Sequence, residues 1–378
     1  MIKLHTIVLT SLAILNLAAA SLWAQKKTWK KGVTQLFDQM VVKPEITTGF
    51  LLLHSDSLEM HLELVSGQDS LGNDYDQNTP LYLASIGKTY TATLIMQLKD
   101  QGKLGLDQPI SEYLPSGLIG GLHLIDEIDR TQDITIHHLL SHTSGLPDYF
   151  GDEPLEGSNM FDMLLEQPDK FWTPVELITF TKGRFKAHFP PGEGFYYSDT
   201  GYVLLGLIIE SITGLPLHEA YQKMLFEPLG MNRSFMNLRS SPNKEAMADF
   251  YFDHMKITRL TSLSADWGGG GPVSSLTDLK KFLNELNSGN IVSHQSFTAM
   301  RQWRPESYGS FYGYGLRKLD LQKLDPSLTK LTLVGHSGAT ASFMYYCPEL
   351  DLYLLGTFNQ ISADHLVNSF LTQVISKF

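Results

Sequence analysis

The chain has one cysteine, Cys347, so no disulfide can form within it. Its fold must rest on a packed core alone, even in an oxidising compartment. Positive charge is scarce. There are 29 Lys and Arg against 40 Asp and Glu, a formal net charge of −11. That balance excludes electrostatic attraction to nucleic acid or to anionic lipid. After the first two dozen residues, no run is long and apolar enough to span a bilayer. Internal repeats and low-complexity segments are also lacking, and glycine and proline are near average, which excludes fibrous and largely disordered architectures. What is present, 43% hydrophobic and 18% charged residues among 378, suffices for a large core in one big domain or two.

The one long apolar run opens the chain. "MIKLHTIVLTSLAILNLAAASLWAQKK" has an early lysine, an apolar stretch and then small residues. It reads as a signal peptide over residues 1–24, with cleavage near Ala20 or Ala24. Thr10, Ser11, Asn16 and Ser21 interrupt the run, which favours a cleaved leader over a membrane anchor. No cysteine stands nearby to carry a lipid. The expectation is a periplasmic or secreted chain, 25–378, with no membrane span after cleavage. Losing Lys3 makes it one charge more negative.

Strand patterns cluster at both ends. "TGFLLLHSDSLEMHLELVSG" predicts two strands around a Ser-Asp turn. "KLTLVGHSG", "TASFMYYC" and "LDLYLLGTF" predict three more, joined by short turns that include Pro348-Glu349. "DHLVNSFLTQVISKF" closes the chain as an amphipathic helix. Between the ends, "TGYVLLGLIIESITG" is the clearest helix, stopped by Gly214. The pattern predicts an α/β (α+β) architecture. An antiparallel sheet is built from both termini (25–112 and 290–378) and flanked by helices, with a mostly helical part, 113–289, inserted between.

"LYLASIGKTYTATLIM", residues 81–96, predicts an apolar helix ending near Gly102, yet Lys88 lies in its first turn, three residues after Ser85. The neighbours of Lys88 at helical spacing are Ala84, Ser85, Thr91, Ala92 and Ile95, none of them charged. Burial disfavours the ammonium, and a neutral amine one turn from a hydroxyl can take its proton. Ser85 would then be an activated nucleophile, with helix-start N–H groups at hand for an oxyanion. Taken alone, Ser-x-x-Lys describes equally a core helix whose lysine snorkels to solvent.

Further stretches accompany the pair in this order: "LLSHTSGL" (139–146), "FYYSDTGYVLLGLIIESITG" (195–214), "EPLGM" (227–231), "WGGGGPVSSLTDL" (267–279), "YGYGL" (312–316) and "VGHSGAT" (334–340). Together they resemble the serine β-lactamase and penicillin-binding-protein superfamily, in particular its branch of class C β-lactamases, DD-peptidases and esterases. The resemblance runs from about residue 30 to the end. It implies a β-lactamase-like fold and a serine hydrolase working through an acyl-enzyme without cofactor or metal. By position it makes Ser85 the acylated serine, Lys88 its partner and Tyr197 the proton shuttle. His336, Ser337 and Gly338 match the strand motif that is Lys-Thr-Gly in many relatives, and the N–H groups of Ser85 and Ala339 would form the oxyanion hole. The implied substrate is a small molecule or peptide, such as a D-alanyl peptide of peptidoglycan origin, an ester or a β-lactam.

Two positions depart from the resemblance. Asp199 stands where the family's tyrosine motif usually ends in asparagine. A carboxylate cannot donate to a substrate carbonyl, and an anion beside Lys88 opposes the loss of its proton. Both effects weaken β-lactam recognition and favour an ester or a substrate bearing an amine. His336 stands for lysine and carries only a partial charge near neutral pH, so it anchors a substrate carboxylate less firmly.

Other readings compete. "Ser198-Asp199-Thr200" is near the Ser-Asp-Asn of class A enzymes, which would put Ser198 in the place of Tyr197. Residues 335–339 resemble a nucleophile elbow around Ser337, but "ATASFMYYCPE" reads on as a strand where an elbow needs a helix. His138 and His142 have zinc-ligand spacing without the intervening glutamate, which leaves them as loop-fixing hydrogen-bonders. "WGGGG" lacks the Lys-Ser/Thr of a phosphate loop and predicts a flexible loop lining the cleft. The alternative function is a binder or sensor of cell-wall fragments on the same fold. Such a protein needs none of Ser85, Lys88 and Tyr197.

Overall fold

A computed structural model describes residues 28–240 and 247–378; residues 1–24, read above as a signal peptide, lie outside the described residues. The strand-forming runs at the two ends of the chain pair with each other. Apart from two small hairpins, the strands are β1 (Gly49–Ser55), β2 (Met60–Ser66), β3 (Leu81–Tyr82), β4 (Phe235–Met236), β5 (Pro272–Ser274), β6 (Arg304–Ser307), β7 (Ser310–Tyr312), β8 (Arg317–Asp320), β9 (Thr332–Gly338), β10 (Ser342–Cys347) and β11 (Leu352–Thr357). Eight of them form one antiparallel sheet in the order β6-β7-β8-β9-β10-β11-β1-β2. The register of β1 on β11 sets Leu52 opposite Leu355 and Leu53 opposite Leu354. The first strand of the sheet is thus joined to the last, which makes it one sheet from both termini.

"GFLLLHS" is buried on both faces, because helices cover both sides of the sheet. On one side lie α1 (28–41) and a C-terminal helix over Val367–Ile375. Val33, Phe37, Phe370 and Val374 there meet Leu51, Leu53, Phe343 and Leu354. On the other side lie α2 (Gly87–Asp100), α3 (Asp199–Thr213), α4 (Trp267–Gly270) and α5 (Leu276–Asn287), and the C-terminal helix is α6. Their core runs without a break from Phe50 and Leu52 through α2 to α3. Helix α5 packs directly on β1, β10 and β11. Gly214 ends α3 with φ 68°, a conformation that side chains with a Cβ disfavour.

One local expectation changes. Residues 81–86 are not the start of the helix. Leu81 and Tyr82 pair with Ser274 and Val273, and Ala84–Ile86 form a single 3₁₀ turn before α2 begins at Gly87. Pairing with a segment almost two hundred residues away overrides the helical preference of the local sequence. Ala84 takes φ 47°, a left-handed conformation that lifts Ser85 at the mouth of the turn. No single described helix is long and apolar enough to cross a membrane.

Candidate active site

The 3₁₀ turn and the first turn of α2 put Ser85 and Lys88 on one side, with Lys88 Nζ 3.2 Å from Ser85 Oγ. Lys88 is fully buried. It is not neutral there. Its Nζ donates to Asp199 Oδ1 at 2.5 Å and to the Gly269 carbonyl at 3.1 Å. Burial, the largest single influence, lowers the lysine pKa, but the Asp199 carboxylate, together with Tyr197 and Asp266, outweighs it and raises the pKa above the ordinary value. The sequence expectation of a largely neutral Lys88 is therefore corrected: the ammonium is the resting form. Asp199 is the first residue of α3.

The geometry nevertheless aims the amine. An ammonium has three N–H bonds, and here Asp199, Gly269 and Ser85 take one each. When Lys88 gives up one proton, the two firm acceptors keep its remaining N–H bonds. Its lone pair then points at Ser85 Oγ.

The glycine run makes this contact possible, and it is not a flexible loop. Trp267–Gly270 is a buried helical turn, α4, packed behind Lys88. A Cβ on Gly269 would lie well inside contact distance of Asp199 Oδ1. The carbonyls of Gly268 and Gly269 accept from Thr91 Oγ1 and Lys88 Nζ. Gly269→Ala is expected to drive Asp199 and Lys88 apart, cost about 1–3 kcal/mol of stability and slow covalent labelling of Ser85 about tenfold. Wild-type melting and labelling would show that the backbone yields instead.

Tyr197 faces the same point. Lys88 Nζ lies 4.8 Å from its ring centroid. Burial first, and then the Asp199 charge, raise the phenol pKa against the opposing pull of Lys88, so Tyr197 is a phenol at neutral pH. Ser198 points elsewhere, its hydroxyl donating to the Pro147 carbonyl, which rules out the class A alignment. His142, missed as a site residue, holds this segment. Its Nδ1 accepts from the Ser198 N–H at 3.1 Å, its carbonyl accepts from the Tyr196 N–H, and its ring lies 4.3 Å from that of Tyr197. His138 instead closes a helix cap, its Nδ1 accepting from the Thr135 N–H.

The 336–339 strand differs from expectation. His336 is fully buried, with Nε2 3.0 Å from the Tyr312 hydroxyl. Burial, then the charges of Arg317 and Lys88, hold its pKa well below the ordinary value. It carries no charge with which to anchor a carboxylate. Ser337 Oγ accepts from Arg317 at 2.9 Å and is followed by β10, not by a helix, so there is no nucleophile elbow. Arg317 is itself bound by both oxygens of Glu306. Gly338 lies against the Leu83 carbonyl so closely that a Cβ could not fit, which seats the strand beside Ser85. Ala339 and Ser85 line one cavity of about 380 Å³ together with Tyr197 and Asp199. Beyond Gly335 the β8 side of β9 has no strand partner among the described residues.

Two carboxylates in the cavity wall escaped the sequence reading, Asp148 and Asp266. Burial, then repulsion from Asp199, raise Asp148 to about 7 and Asp266 to about 6. Aspartates are common in turns, and nothing local marks these two. Among the described residues, no group of three or more His, Cys, Asp or Glu is placed to hold a metal ion.

The family whose profile matches residues 51–369 is described as beta-lactamase. The chain is 27% identical over 339 residues to penicillin-binding protein 4* of Bacillus subtilis, covering 83% of this chain and 67% of that protein. It is 28% identical to the putative penicillin-binding protein PbpX of the same strain, and spans 55% of that protein's length. Among solved structures it is similar to the D-amino acid amidase of Ochrobactrum anthropi SV3, with 26% identity and a TM-score of 0.74. That match covers 92% of this chain and all of the other. EstCE1, a hydrolase with promiscuous acyltransferase activity, shares the fold with a TM-score of 0.75 at 20% identity.

Proposed function

We propose, for a chain that belongs to the beta-lactamase family and is a serine hydrolase of it, an exported enzyme that cleaves small amides or esters with an uncharged leaving group. Ser85 Oγ attacks the substrate carbonyl while Lys88, in its neutral fraction, takes its proton. The carbonyl oxygen becomes an anion, which the N–H groups of Ser85 and Ala339, both residues lining the cavity, would receive. As the C–N or C–O bond breaks, Tyr197 passes a proton to the departing amine or alcohol. Water then attacks the acyl-Ser85 ester by the reverse route and releases the acid. An extended substrate backbone can pair with the free edge of β9 beyond Gly335.

The observation that carries the choice of leaving group is the pairing of Arg317. A β-lactam or a peptide ending in D-alanine brings a carboxylate to the 336–338 strand. There Arg317 is neutralised by Glu306 and His336 is uncharged, so the carboxylate meets no free cation. Amides and esters without that carboxylate lose nothing. This supports an amidase or esterase over a carboxypeptidase or an efficient β-lactamase. The catalytic pair, kept whole, argues against a binder or sensor without turnover.

The test is labelling with a fluorophosphonate, mass-spectrometric location of the adduct, and turnover of a neutral p-nitrophenyl ester, nitrocefin and a D-alanyl-D-alanine peptide. The adduct is expected on Ser85, with kcat/KM highest for the ester. An adduct on Ser337, or the D-alanyl peptide as the best substrate, would overturn the reading.

A further inference from the structure

The hairpin of β1 and β2 carries a histidine on each strand, and its register sets His54 directly opposite His61. The two rings meet edge to face, with Nδ1 of one 3.2 Å from Nδ1 of the other. Their outer nitrogens are engaged as well. His54 Nε2 lies 3.0 Å from Asp56 Oδ1, and His61 Nε2 lies 2.6 Å from Glu63 Oε1. An ionised carboxylate only accepts, so each Nε2 carries the proton of its ring. In the neutral rings both Nδ1 atoms are then bare, and their lone pairs face each other across one gap. Such a pair repels unless a positive centre lies between them.

The gap has the span of a metal ion. Two imidazole nitrogens on one near-tetrahedral ion, each at roughly 2.0–2.1 Å, stand roughly 3.1–3.4 Å apart. The outer hydrogen bonds match too. A metal-bound histidine commonly donates its other N–H to a carboxylate, which fixes the tautomer and strengthens the ligand. Here both rings do so. Negative charge predominates around them. Asp351 of β11 joins Asp56 and Glu63, against one cation, Lys280 of α5. The Tyr353 ring of β11 packs against His54 and steadies it. His54 is largely shielded while half of the His61 side chain is exposed, so water can reach the outer side of the pair.

We propose that His54 and His61 bind a divalent transition ion of the nickel, copper and zinc class through their two Nδ1 atoms, with water in the remaining positions. These are the ions that imidazole suits. The role is structural. The outer side of β2 has no strand partner among the described residues, and the ion would fasten this edge strand to β1. His54 lines a different cavity from the one that holds Ser85, so the ion takes no part in acyl transfer. The inference is independent of the proposed substrate.

The experiment uses the chelator-stripped protein at slightly alkaline pH, where both imidazoles are neutral. Zn2+ at about 0.1 mM is expected to raise the melting midpoint by about 3 °C, the shift given by an ion present at about ten times its Kd. Mg2+, which seeks oxygen ligands, should not. Stoichiometric Cu2+ should give an electron-spin-echo spectrum with two coupled imidazoles. His61→Gln should leave one imidazole in that spectrum and reduce the Zn2+ shift to below about 1 °C. Glu63→Gln keeps both ligands and loses the outer carboxylate, and should weaken Zn2+ binding about tenfold. Turnover of a neutral ester should be the same with and without Zn2+. The wild-type spectrum decides even if a variant fails to fold. A wild-type protein with neither a Zn2+ shift nor a two-imidazole spectrum would overturn the proposal. So would undiminished binding by folded His61→Gln, which would put the ion on other histidines of the chain. Ester turnover that depends on Zn2+ would overturn the structural role.

Discussion

Lys88→Arg is expected to slow acylation of Ser85 about 10³-fold at every accessible pH. The substitution keeps the positive charge, and with it the ion pair to Asp199 that ties α2 to α3. It removes the capacity to become neutral, because a guanidinium does not release its proton in this range. A positioned general base contributes roughly 10²–10⁴-fold, which sets the size of the loss. Bulk adds to it, since Lys88 has no exposed surface and α4 stands directly behind it. The measurement is the rate of fluorophosphonate labelling and of the ester burst, beside a thermal melt. A folded variant that acylates at a near-normal rate would exclude Lys88 as the base and leave Tyr197 in that role. Lys88→Met completes the comparison. It also lacks a base, but strands Asp199 as a buried anion, so it should lose stability as well as activity.

The sequence carried the fold and the nucleophile further than it carried the electrostatics. Ser85 and Lys88 are three residues apart, and a helical turn guarantees their contact. The apolar period of 199–213 and its closing Gly214 mark α3, and the alternating and buried runs at the two ends mark the sheet. What was misread depended on partners distant in the chain. The neighbours of Lys88 on its own helix are all neutral and suggest a free amine, and only the departure at Asp199 points the other way. Asp199, which decides the charge, is 111 positions away. His336 looked like a half-charged anchor until Tyr312 and the sheet enclosed it. The helix predicted to begin at 81 begins at 87, because β5 claims Leu81 and Tyr82. "WGGGG" has the composition of a loose loop. Each glycine is instead buried where a carbonyl or carboxylate presses close, a constraint invisible without α2 and α3 in place.

Asp199→Asn should move the pH–rate profile of acylation several pH units towards acid. In the wild type, burial pulls the Lys88 pKa down, and the Asp199 charge, the largest of the opposing influences, together with Tyr197 and Asp266 pulls it up further, so the ammonium persists well above neutrality. Activity that needs the free amine should then climb through the neutral and alkaline range. Asparagine is nearly isosteric, and its carbonyl can still accept from Lys88 Nζ. Its charge is gone, so burial is left as the main influence and the pKa falls below the ordinary lysine value. At pH 7 the neutral fraction rises by orders of magnitude. A weaker base gives part of this back, and the net gain on a neutral ester is expected at about 10- to 100-fold. The same change relieves Asp148 and Asp266 of their nearest like charge, so both should ionise at lower pH. It also supplies an amide N–H towards the cavity, where a substrate carbonyl has had only a carboxylate to face. Nitrocefin turnover should therefore rise in the variant. It should rise less than ester turnover, because the neutralised Arg317 still offers a carboxylate no anchor. The measurement is kcat/KM against pH for both enzymes on one neutral ester and on nitrocefin. An unchanged profile in a folded variant would mean that the proton leaves Ser85 by a path that does not pass through Lys88, and Tyr197 would be next on that path.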